Sequence, residues 1–155
     1  MANDTGSRPD HIRTMNSISL AETDAGRYLS AWADVTTDEG LRASLRIIAA
    51  RETSHGDVLE RRLNELGYDL EPRPKPEWEE RFKKYSSAEV SDLEKVGPAG
   101  SIPDGDLFGD LEKNVNEGDY DPLSELLMRW YIAEERDSAD IARAAYARVR
   151  EKGAG

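Results

Sequence analysis

The stretch from Leu41 to Leu66, LRASLRIIAARETSHGDVLERRLNEL, limits the fold more than any other part of the chain. Leu41, Leu45, Ile48, Leu59, Leu63 and Leu66 recur at three- and four-residue spacing. That spacing is one apolar face of an α-helix. Glu52 and His55 lie in the middle of the same face. A carboxylate inside a helical core costs several kcal/mol unless it is paired, protonated or bound to a cation. Either the pair is compensated, or the helix is rotated slightly and the pair is wet. At about 1.5 Å per residue the helix is about 40 Å long, a length suited to a bundle.

The neighbouring segments fit a bundle. Ile18, Ala21, Ala25, Tyr28 and Trp32 form a stripe on a first helix capped by Asn16 or Ser17. Glu22 is the acid nearest its centre. The turn from Val35 to Asp38 is short enough to make the first two helices antiparallel neighbours. Thr37 or Asp38 caps the second helix, and Gly67 closes it. Three prolines, Pro72, Pro74 and Pro76, impose an extended crossover. Trp78, Phe82 and Tyr85 predict a short helix across the bundle, packing as a lid. Residues 87–116 read either as one interrupted helix or as two short ones. Asp121-Pro122 starts a last long helix, with Leu123, Leu127, Trp130, Tyr131, Ile141, Ala142, Ala145 and Val149 on its apolar side. Glu134, Glu135 and Ser138 fall near the middle of that side, and Asp137 at its edge. Trp32, Trp78 and Trp130 are assigned to packing.

The domain reading is a loose polar tail at 1–16, a single helical bundle at 17–150 and a frayed end at 151–155. The fold class is all-α: a four-helix bundle with a Pro-rich crossover and short accessory helices. No stretch alternates with period two, so no strand is expected.

Composition removes several classes of function. The net charge of −11 disfavours nucleic acid and anionic membrane surfaces as partners. The absence of cysteine excludes disulfides, thiolate metal sites and iron–sulfur clusters. No apolar run approaches a membrane span, and the N-terminal residues lack an apolar signal core. A reducing, cytoplasmic setting is expected. No phosphate-binding glycine loop or nucleophile turn is present.

On a helix, residues three apart share a face, so Glu52 and His55 offer an oxygen and an imidazole to one metal ion. A metal would also neutralise the buried negative charge. Glu22 on the first helix would complete a half-site.

The run Ala49-Ala50-Arg51-Glu52-Thr53-Ser54-His55, together with Glu22, Tyr28 and Leu66-Gly67, resembles the first hairpin of the ferritin-like superfamily, in particular rubrerythrin-like proteins. Trp130 to Ser138 resembles the second hairpin, where those proteins carry a second Glu-x-x-His. The resemblance implies a four-helix bundle binding iron, as a di-iron site in the well-known members, for oxidase, peroxidase or iron-storage chemistry. The implied ligands are Glu22, Glu52, His55 and Glu135, with Glu94 from the broken third element and Glu112 as its spare.

This chain departs from that pattern at Ser138, where a second histidine would stand, and Asp137 is the nearest substitute oxygen donor. It also lacks the cysteines of a rubredoxin-type relay, so redox turnover would need an outside electron donor. Two further readings stay open. One is a ferritin-like bundle with a decayed site, acting as a structural or protein-interaction module, its Glu52 and His55 tied to Arg51, Arg61, Tyr131 or Ser138. The other is an unrelated helical bundle. A homodimer through bundle faces is compatible with the class.

Overall fold

The computed structural model describes residues 7–154. The expected tail residues 1–6 and the terminal Gly155 lie outside that range. The chain is all-α, and no strand occurs among the described residues. Three long helices carry the structure: α1 (Asp10–Val35), α2 (Glu39–Glu65) and α6 (Pro122–Gly153). Between α2 and α6 lie three short ones: α3 (Trp78–Ser86), α4 (Asp92–Val96) and α5 (Gly109–Glu117). No helix among the described residues is long and apolar enough to cross a membrane.

The second helix follows its sequence pattern. Asp38 caps it by accepting a hydrogen bond from the Leu41 amide at 3.0 Å. At the other end Tyr68 N–H donates to Leu63 at 2.9 Å and Gly67 N–H to Asn64 at 3.0 Å. Gly67 has φ +88°, so these two bonds form the left-handed close that favours glycine. Leu41, Leu45, Ile48, Glu52, His55, Leu59 and Leu63 are all buried. The Glu52–His55 pair is therefore inside the bundle.

The first helix departs from its pattern twice. It begins at Asp10, so residues 10–16 are not a loose tail. Ile12 and Met15 pack against Leu59, Leu63 and Met128, which offsets the entropy of ordering this turn. Its buried face is also rotated from the expected stripe: it runs through Ser19, Glu22, Gly26, Leu29 and Ala33, whereas Ala21 is exposed. The cause is a close approach of α1 and α2 through small residues. A Cβ on Gly26 would sit 2.4 Å from Thr53 Oγ1, and one on Gly56 would sit 2.4 Å from Thr23 Oγ1. Ser19 Oγ also donates to the Gly56 carbonyl at 2.8 Å. Each helix carries the same run, Glu-Thr-x-x-Gly, at Glu22–Gly26 and at Glu52–Gly56. In antiparallel helices the two copies seat each glycine against the other's threonine.

Among the described residues the fourth long helix of a four-helix bundle is not formed. Its place in chain order is taken by α4 and α5, which both pack on α6. Residues 87–116 thus make two separate short helices. The first, α4, starts at Asp92 with Ser91 as its cap. Asp92 anchors α4 to the end of α1, accepting from Trp32 Nε1 at 2.8 Å and Thr36 Oγ1 at 2.6 Å. The Pro-rich segment runs back along α1. Asn16 Nδ2 donates to the Glu71 carbonyl at 3.0 Å, and the Glu71 amide donates to Asn16 Oδ1 at 2.7 Å. Lys75 and Asp24 pair at 2.5 Å. α3 then packs on α1, with Tyr85 stacked on Tyr28.

The last helix starts at Asp121-Pro122 as expected, but it runs through residues 151–153, where a frayed end was expected. Asp121 caps it and pairs with Arg62 of α2 at 2.8 Å. Leu123, assigned to the apolar side, is 46% exposed, and Ser124 is buried in its stead.

The close approach of α1 and α2 has a direct test. Gly56→Ala should lower stability by about 1–3 kcal/mol despite alanine's better helix propensity, because backbone atoms of Ser19 and Thr23 also lie within 3.2 Å of the added methyl. Gly40→Ala, whose methyl would meet nothing nearer than 3.4 Å, should be neutral or stabilising. Urea denaturation of both variants reads the contrast.

Candidate metal centre

Two apolar clusters fill the interior. One gathers Leu29, Trp32, Leu45 and Ile48 with Ala145 and Val149. The other gathers Ile12, Met15, Leu59 and Leu63 with Met128 and Ile132. The polar groups of Glu22, Glu52, His55 and Glu135 come together where α1, α2 and α6 meet. One ligand atom from each of these four lies within 4.8 Å of the others. The paired Glu-Thr-x-x-Gly runs position the first two: the helix approach that seats Gly26 and Gly56 also carries Glu22 and Glu52 into the same layer. α6 brings Glu135 from the third side.

His55 is the centre of the layer and is fully buried. Its Nδ1 lies 3.2 Å from Glu22 Oε2, and its Nε2 lies 3.0 Å from Glu134 Oε1. Trp130 and Tyr131 meet the imidazole edge-on at 4.9 and 5.0 Å between centroids. Two carboxylates on two ring nitrogens require both nitrogens to carry protons, so this arrangement holds an imidazolium. Burial opposes the charge, but the carboxylates of Glu135, Glu22 and Glu134 around the ring outweigh it and raise the pKa from 6.5 to about 9.

Glu22 accepts a second bond, from the Tyr131 hydroxyl at 3.1 Å. Glu52 is pushed far above the usual carboxylate range, first by burial and then by Glu22 and Glu135 beside it. Carboxylates this close cannot all ionise in a poorly solvated layer, so Glu52 keeps its proton.

Glu135 differs from the rest. Its Oε1 is buried and has no hydrogen-bond partner among the described residues. It lies 3.4 Å from His55 Nδ1, but that nitrogen's single proton is directed to Glu22. An unpartnered buried carboxylate oxygen is expensive. Three carboxylates and one imidazole that converge on one point, with one oxygen left over, are a donor set suited to a divalent cation.

Where a second histidine was sought, the structure has Arg51. Its guanidinium donates to Asp137 at 2.7 Å and to the buried Ser138 hydroxyl at 3.1 Å, and approaches Glu134 at 3.7 Å. Asp137 is thus engaged by an arginine at the surface.

Four of the five residues singled out as ligands are brought together. Glu94 is not: it is exposed on α4 and outside the cluster. A five-residue helix turns inward through Lys95 and Val96 instead, with Lys95 held by the Ser87 carbonyl at 2.7 Å. Glu112, the alternative, pairs with Arg136 at 2.6 Å. Glu134, placed by the sequence near the middle of the last helix's inner side but not among the ligands, is a direct partner of His55. Its signal was its spacing, one residue ahead of Glu135 and one turn before the buried Ser138.

In comparisons with known proteins, no family model, no curated protein and no solved structure matches this chain.

The layer makes the metal-free protein sensitive to alkali. His55 and Glu52 both bind their protons more tightly folded than unfolded. Such a group stabilises fully below its unfolded pKa, and that stabilisation is lost as pH rises through its folded pKa. For His55 the window runs from 6.5 to about 9. The melting temperature of chelator-treated protein should fall across that window, and His55→Gln should flatten the fall. A level profile in the parent chain would contradict the ionic assignment of the layer.

Proposed function

We propose that this chain is a ferritin-like helical protein whose buried layer binds one iron ion through Glu22, Glu52, His55 and Glu135. The observation that carries the reading is the Glu135 oxygen, buried and unpartnered at the meeting point of three other donor groups. Oxygen donors with one imidazole suit ferrous iron, as they suit manganese and zinc. Bound iron supplies electron exchange with dioxygen or peroxide. The chain's own residues hold it and screen it. Tyr131 orients Glu22 through its hydroxyl, and Trp130 and Tyr131 enclose the imidazole.

The count is one ion, where the resemblance allowed two. The region beyond His55 is occupied by the Arg51 guanidinium, which already places a positive charge beside Glu134 and Ser138. A second cation there would meet like charge. With no cysteine in the chain, reduction of bound iron would draw on an outside donor.

One observation favours a second reading. Both ring nitrogens of His55 already have carboxylate partners, so the layer is nearly satisfied without metal. On that reading the bundle is a scaffold for protein interaction and its polar layer sets helix register.

Anaerobic ferrous titration of chelator-treated protein, with elemental analysis, separates the two. One iron per chain is expected. Glu135→Gln and His55→Ala should each weaken binding by at least about 10-fold, a loss already typical when only a residue behind a ligand is removed. Glu94→Gln should leave it unchanged. Two irons would contradict the role given to Arg51, and no binding would favour the scaffold.

A further inference from the structure

The buried layer has two sides, and they differ in charge. On one side, beyond Glu134, stands the Arg51 guanidinium, 3.7 Å from that carboxylate and bonded to Asp137 and Ser138. Trp130 and Tyr131 close over the His55 ring. On the other side a groove of about 690 Å³ runs between α1 and the Pro-rich segment with α3. Of the four clustered donors, Glu22 and Glu52 line this groove, and His55 and Glu135 do not.

Four carboxylates line the groove, and their exposure falls from its mouth inward. Glu77 is exposed and Asp24 half-buried, while Glu22 and Glu52 are 7% and 6% exposed. Arg73 and Arg81 also line it, and both are exposed. The third cation, Lys75, is held on Asp24 at 2.5 Å, so one ammonium already occupies a carboxylate inside the groove. Glu22 has partners in His55 and Tyr131. Glu52 has none of that kind: among the described residues no N–H or hydroxyl donates to its carboxyl. A carboxyl nine-tenths buried, turned to an open groove and without such a donor, is a place for a cation. Ala21, beside Glu22, is exposed in the same groove, so the way in is lined by a small side chain.

We propose that this groove is the route by which a divalent cation reaches the buried layer, with Glu52 the first buried ligand it meets and Lys75 a positive charge that slows its entry. The inference rests on the metal-binding reading and adds to it the side of entry. A cation arriving past Arg51 would meet like charge before any unpartnered oxygen. One arriving by the groove meets carboxylates at each depth, and such a lining raises the local concentration of cations.

The test follows cobalt(II) entering chelator-treated full-length protein by stopped-flow absorbance, with equilibrium affinity measured on the same samples. Ala21→Trp puts a bulky uncharged side chain in the groove. It should slow uptake and release alike, by at least about 10-fold, and so leave the affinity within about 2-fold. Ala133→Trp, at an exposed position next to Glu134, should change neither rate. Lys75→Gln should speed uptake about 3-fold at low salt, and that gain should vanish in 1 M salt, where charges beyond about 3 Å are screened. Both alanines are exposed, so helix content and melting temperature should hold in the two tryptophan variants. Unchanged uptake in Ala21→Trp, or slowing in Ala133→Trp in its place, would overturn the route while the site stands. A parent chain that binds no cobalt at equilibrium would overturn the metal reading and the route with it.

Discussion

The contact between His55 Nδ1 and the Glu22 carboxylate, 3.2 Å across α1 and α2, is what the interior is arranged to permit. An imidazolium without water needs a negative partner on each side. It has Glu22 on one and Glu134 on the other. The first partner demands that α1 and α2 approach closely, and only Gly26 and Gly56 allow that. The second demands that α6 lie across the pair, and the Asp121 cap with Arg62 holds it there. Apolar clusters lie to either side of this layer, and neither contains a member of it. Helix packing and layer chemistry are therefore one problem: moving either helix by a methyl's width would separate the charges.

A groove of about 690 Å³, lined by Glu22, Glu52, Tyr28, Pro76 and Trp78, follows from the same arrangement. With α4 and α5 packed on α6, the outer side of α1 has no long neighbour. The Pro-rich segment and α3 cover it instead. Prolines keep that segment extended, so it lies along α1 without closing over it. The remaining gap reaches Glu22 and Glu52. A continuous fourth helix in that position would have closed it. The short elements are thus the reason that the groove reaches Glu22 and Glu52.

Much of this was legible from residue order, and the parts that were not have physical causes. Apolar spacing identified the buried face of α2 from Leu41 to Leu63, because leucine and isoleucine recur at regular spacing on both sides of Glu52 and His55. The same counting misplaced the face of α1, because the contact there is made by serine, threonine and glycine, which hydropathy does not mark. The repeated Glu-Thr-x-x-Gly run was the available signal: a small residue one turn after a carboxylate, on each of two antiparallel helices. Ile12 and Met15 were hidden in a polar context, yet their spacing was already helical. Glu94 was misplaced because periodicity carries little weight over five residues, where one capping serine decides which side faces inward. The missing second histidine was visible. That an arginine from another helix fills its place was not, since the partners are 86 and 87 positions apart.

The most direct test of this account is the state of the His55 ring, read by nitrogen-15 resonance in uniformly labelled protein at neutral pH. Without metal both ring nitrogens should carry protons and show direct bonds to carboxylates. One equivalent of zinc, a diamagnetic stand-in for the ferrous ion, should strip one proton and shift that nitrogen into the metal-bound range while the other keeps its partner. A neutral imidazole with a single proton before metal, unchanged after it, would contradict both the charged layer and the site built on it.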